Sequence, residues 1–86
     1  MKIIVAILKD TDSDAVTQGL TSANFRVTRV ASTGGLFKKG TATLFIGVDD
    51  DKVDAAIMVL REKTTPVSGE KRCTIFVIPV ERFEQL

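Results

Sequence analysis

Two strand-length runs, Ile3-Ile4-Val5-Ala6-Ile7-Leu8 and Thr74-Ile75-Phe76-Val77-Ile78-Pro79, are apolar at nearly every position. Successive side chains of a β-strand point to opposite faces, so a strand with one wet face alternates apolar and polar residues. Neither run alternates. Ile3, Val5 and Ile7 line one face while Ile4, Ala6 and Leu8 line the other, and Ile75 and Val77 back onto Phe76 and Ile78. A sheet built on these strands expects cover on both faces.

The segments between them divide by period. Asp10-Thr11-Asp12-Ser13 offers several N-caps for a helix through about Ala23, with Val16, Leu20 and Ala23 on one face and Gly19 in the remaining slot. Phe25 to Ala31 reads as a second strand, Phe25, Val27 and Arg29 alternating with Arg26, Thr28 and Val30. Ser32-Thr33-Gly34-Gly35 breaks it, and a loop through Gly40 leads to a third strand, Thr41 to Val48. Asp49-Asp50-Asp51 opens a second helix, where carboxylates cap free N–H groups and meet the positive end of the dipole. The alternating ligands, central glycine and closing glutamate of a calcium loop do not follow it. Val53, Ala56, Ile57 and Leu60 then form the apolar stripe of a helix packed on a sheet. Thr64 to Lys71 is a connector, and Arg72 to Pro79 the fourth strand.

The order βαββαβ predicts an α+β, ferredoxin-like sandwich: a four-stranded antiparallel sheet with two helices on one face, a single domain over residues 1–86. Two helices cover only one face of such a sheet. The two-faced strands therefore predict a homo-oligomer, in which another copy covers the second face.

Charge and residue usage exclude several functions. Twelve basic residues face eleven acidic ones, a net charge of +1, so no basic excess points to nucleic acid or an anionic membrane. Ile3 to Leu8 is too short to cross a bilayer, and Lys9, Asp10 and Asp12 follow it where a signal peptide needs a small-residue cleavage site. A cytoplasmic protein is expected. Cys73 is the sole cysteine and lies in the fourth strand, where packing is its expected role. Histidine is absent, which removes Ser-His and Cys-His chemistry and most zinc sites. The chain is expected to be no enzyme, with no catalytic residue, metal or cofactor.

Binding residues are better represented. On a strand, Asn24, Arg26 and Thr28 align an amide, a guanidinium and a hydroxyl on one face, able to bond base edges and phosphate oxygens. Gly34-Gly35 permits positive φ and close approach of backbone N–H groups to a ligand. Leu36 and Phe37 offer an apolar or stacking wall, and Lys38 and Lys39 a positive field. Pattern alone leaves two readings open, this site or a solvated strand edge with a hairpin loop. Gly35 to Thr41 has the glycine spacing of a P-loop but lacks the lysine after the second glycine and leads into a strand. An RNA recognition motif would place aromatics at positions 41, 43 and 46, which hold Thr41, Thr43 and Ile46.

Asp10-x-Asp12-Ser13, Asn24-Phe25-Arg26-x-Thr28, Thr33-Gly34-Gly35, Gly40 with Thr43, Gly47-Val48-x-Asp50-Asp51-x-Val53-Asp54 and Phe76-Val77-x-Pro79-Val80 occur in order along nearly the whole chain. In these the chain resembles the PII-like cyclic di-AMP receptor proteins. The resemblance implies a ferredoxin-like subunit, a homotrimer and nucleotide sites between subunits, with cyclic di-AMP the candidate ligand. It implies that Asn24, Arg26, Thr28, Gly35 and Gly47 hold the nucleotide while Leu36 and Phe37 flank an adenine. Thr41 stands where the family usually has an asparagine, the order Leu36-Phe37 replaces an aromatic directly after the glycines, and the connector after the second helix is shorter. A sensor signalling by loop ordering follows. The alternative is a trimeric interaction protein that binds a protein partner and no nucleotide, and a hydrolase on the same architecture ranks behind both for want of a nucleophile–base pair.

Overall fold

A computed structural model describes residues 1–30 and 40–86. The elements run β1 (Lys2–Lys9), α1 (Asp10–Ser22), β2 (Arg26–Val30), β3 (Thr41–Val48), a 3-10 turn (Asp50–Lys52), α2 (Val53–Lys63) and β4 (Cys73–Pro79). They form one antiparallel sheet in the order β2-β3-β1-β4, the ferredoxin-like arrangement. β1 and β3 take the centre of the sheet, where both neighbours supply backbone partners, while the equally β-branched β4 lies at an edge beside β1.

Register sorts the side chains. Ile4, Ala6 and Leu8 of β1 face Ile46, Leu44 and Ala42 of β3 across the ladder. With Val16 and Leu20 of α1 and Ala56 and Leu60 of α2 they form the buried core. The helices approach closely at Gly19, where a Cβ would stand 3.1 Å from both Val59 Cγ1 and Lys63 Cγ. Alternation leaves Ile3, Val5 and Ile7 on the other face, level with Gly47, Phe45 and Thr43 of β3 and with Ile78, Phe76 and Thr74 of β4. On that face Phe76 is 53% and Ile78 45% exposed. Among the described residues no helix lies over it.

Both helix starts differ from expectation. No side chain caps α1 at its N-cap position, Lys9. The Ser13 hydroxyl instead donates back to the Asp10 carbonyl at 2.9 Å. Asp12 turns inward, 7% exposed, and its carboxylate accepts from the Thr65 N–H at 3.1 Å and the Thr65 hydroxyl at 2.8 Å. The start of α1 is thereby tied to the connector after α2. The Asp49 to Asp51 run likewise makes no side-chain cap bond, because the chain enters α2 through a 3-10 turn. Asp50 pairs instead with the α-ammonium of Met1 at 2.8 Å, whose hydrogen bond and charge lower its carboxyl below the ordinary value.

Candidate functional site

The polar residues of β2 sit at the edge of the uncovered face. Arg26 is level with Gly47 of β3, and Thr28 with Phe45. Gly47 and Phe45 are level in turn with Ile3 and Val5. Arg26 and Thr28 are exposed. Because β2 is an edge strand, they border the apolar centre of the face on one side and solvent on the other.

Asn24 reaches the same region by another route. The sequence reading placed it on the strand, two residues before Arg26, but it precedes β2 and has a φ of 68°. It ends α1: its N–H donates to the Thr21 carbonyl at 3.0 Å, and the Phe25 N–H donates to the Leu20 carbonyl at 2.9 Å. This is a Schellman ending, in which asparagine tolerates the left-handed conformation better than most residues and the following apolar side chain packs on the helix. The period-two argument therefore does not reach Asn24. It does line a cleft of about 520 Å³ with Gly47, Val48, Asp49 and Lys52, between the end of α1 and the start of α2. Arg26 and Thr28 stand outside that lining.

Thr41 lies on the same sheet face, level with Lys9 at the other end of β3. It lies six positions from Gly47, about 20 Å along a strand. It lines a different cleft, of about 660 Å³, with Lys9, Glu70, Lys71, Arg72 and Thr74. Gly35, Leu36 and Phe37, with the rest of the glycine loop, lie outside the described residues. The expected site is thus brought together in part, with Asn24, Arg26, Thr28 and Gly47 at one end and Thr41 at the other. Sequence reading overlooked Lys52, absorbed into the acidic helix start, and the cations beside Thr41, which β1 and the connector before β4 supply.

Cys73 packs half-buried against the core. Burial pushes its thiol up to about 11, outweighing the pull of the Arg72 charge. Nothing there generates a thiolate near neutrality. No group of three metal-ligating side chains occurs among the described residues, and no helix among them is long and apolar enough to cross a membrane.

A ferredoxin-like sheet with a basic and hydroxylic edge has the side chains of a ligand-binding domain. The family model for the cyclic-di-AMP receptor matches residues 1–71, and the chain belongs to that family. Among solved structures, a functionally unknown protein from Pediococcus pentosaceus ATCC 25745 superposes with a TM-score of 0.80, at 23% identity, over 99% of this chain and 96% of that one. That likeness speaks to the fold alone, and extends it through β4, beyond the segment the family model matches.

Proposed function

We propose that residues 1–86 act as one PII-like receptor domain that binds a nucleotide, with cyclic di-AMP the first candidate, at the boundaries between copies of a homotrimer. The observation that carries this reading is the cross-strand pair Arg26 and Gly47, an exposed guanidinium beside a strand position that has no side chain. The guanidinium suits a phosphate, and a bare strand suits close approach of a flat ligand. Thr28 and Asn24 add a hydroxyl and an amide, and Thr41 contacts the ligand from the far end of β3. Location at a boundary is supported by the uncovered face, whose exposed Phe76 and Ile78 call for a partner of the same character. The protein acts by binding, in the cytoplasm, and signals as the ligand favours one arrangement of the glycine loop over another.

The test is a thermal-shift and calorimetric panel of adenine nucleotides and cyclic dinucleotides. Cyclic di-AMP is expected to stabilise the protein saturably. Arg26→Ala is expected to abolish the response while light scattering reports an unchanged assembly. Binding that survives Arg26→Ala defeats the site assignment, and silence across the panel defeats the nucleotide reading.

A further inference from the structure

The 660 Å³ cleft at the Thr41 end carries a charge imbalance that the chain as a whole lacks. Its lining includes three cations, Lys9 from β1 and Lys71 and Arg72 from the connector and its junction with β4, against one carboxylate, Glu70. Glu70 is committed to Lys9 at 3.2 Å. The neighbouring acids of α1 are committed as well. Asp10 and Asp14 each pair with Arg29 at 3.0 Å, and Asp12 is held by Thr65. Lys71 and Arg72 therefore have no carboxylate partner among the described residues, although Arg72 is partly buried. Such cations facing a concave surface focus a positive potential into it. The Thr41 and Thr74 residues on the same lining add hydroxyl-bearing side chains.

We infer that this cleft is an anion site for a phosphate group, with Lys71 and Arg72 as its principal ligands and Glu70 as an internal competitor that holds Lys9 until the anion arrives. It deepens the receptor reading by giving the nucleotide's phosphate a second cationic contact, supplied by the connector after α2. An arriving phosphate takes charge-assisted bonds from Lys71 and Arg72, and Lys9 can exchange Glu70 for the ligand because that exposed ion pair is weak.

The test follows backbone amides of the full chain by NMR during titration with inorganic pyrophosphate, and in parallel with cyclic di-AMP. Saturable shifts are expected at Lys9, Thr41 and residues 71–74. The double variant Lys71→Ala/Arg72→Ala is expected to bind at least about tenfold more weakly. Glu70→Gln is expected to bind about two- to fivefold more tightly, an effect that loss of structure would not produce. Pyrophosphate that leaves these amides unmoved, or binds the double variant as well as the parent, overturns the inference. Pyrophosphate binding here without cyclic di-AMP binding anywhere upholds the anion site and defeats the receptor reading. Cyclic di-AMP binding that ignores the double variant, with pyrophosphate silent, does the reverse.

Discussion

Gly47 separates what the fold needs from what a ligand needs. It lies inside β3, which pairs on both sides, and its φ is not among the positive values found at Gly40 and Gly69. A Cβ placed on it meets nothing nearer than the Met1 Cε, at 3.4 Å, an ordinary contact with the end of a flexible side chain. The strand therefore has room for alanine. Glycine inside a strand costs about 0.5–1 kcal/mol relative to alanine through backbone entropy. Gly47→Ala should raise stability by about that amount, a Tm increase of about 2–8 °C for a domain of this size. If the bare strand serves ligand approach, the same methyl group intrudes on the bound nucleotide, at a cost of about 1–3 kcal/mol, or roughly tenfold in Kd or more. Scanning calorimetry reads the first effect and isothermal titration with cyclic di-AMP the second, with light scattering to hold the assembly constant. A variant that is more stable and binds unchanged refutes the role given to Gly47. A variant that is less stable refutes the geometry.

Three further outcomes are expected. Asp12→Ala removes an inward carboxylate that accepts two bonds from Thr65. Since Thr65 is exposed and water can replace the partner, the loss should be about 2 kcal/mol, a Tm decrease of about 10 °C, and a change under 1 °C would refute the tie between α1 and the connector. Phe76→Glu puts a charge on the uncovered sheet face and should shift the assembly towards monomer in analytical ultracentrifugation while the far-UV spectrum holds; an unchanged assembly would place the interface elsewhere. Cys73 has a folded-state value of about 11 against an ordinary 9.0, so its contribution to stability is full below pH 9.0 and disappears as pH rises towards about 11. Thermal melts across that window should therefore fall more steeply for the parent than for Cys73→Ala, and parallel slopes would show that burial does not shift this thiol.

The strands at the centre of the sheet were legible because their pattern is redundant. β1 and β3 match the readings Ile3 to Leu8 and Thr41 to Val48 to within a residue, since long β-branched runs admit little else at that length. The stripe Val53, Ala56, Ile57 and Leu60 gave α2 for the same reason, and Ala56 and Leu60 are its buried residues. Boundaries were less legible because local chemistry has several outlets. Aspartates before a helix suggest caps, yet Asp12 found a partner 53 positions away and Asp50 found the α-ammonium. Asn24 was drawn into the strand by its spacing from Arg26. The competing signal was present: an asparagine after a helix-length segment, followed by an apolar residue, is a helix ending. Assembly of the cationic cleft was beyond local pattern altogether, because Lys9 and Arg72 meet only through the pairing of β1 with β4.

The uncovered face also bears on why one copy is an incomplete receptor in the proposed reading. Charged residues lie at its margins, Arg26 with Thr28 along the β2 edge and Lys9 with Thr41 at one end, and inside it the polar side chain on β3 is the buried Thr43, level with Ile7. The middle is Ile3, Val5, Ile7 and Phe45, continued by Phe76 and Ile78 to the opposite edge. A polar ligand laid on this middle would lose hydration without finding partners, which disfavours binding across the face. A second copy laid there gains from apolar burial and leaves the polar margins at the rim of the contact. Arg26 and Thr41, some 20 Å apart on one strand pair, cannot both grip a compact group within a single copy. Opposite ends of neighbouring copies can meet at a rim. Assembly and ligand binding are then linked, and the ligand should strengthen the assembly by the same factor by which assembly strengthens ligand binding. The oligomer dissociation constant measured with and without saturating cyclic di-AMP tests this directly. Equal constants would place the whole site within one copy.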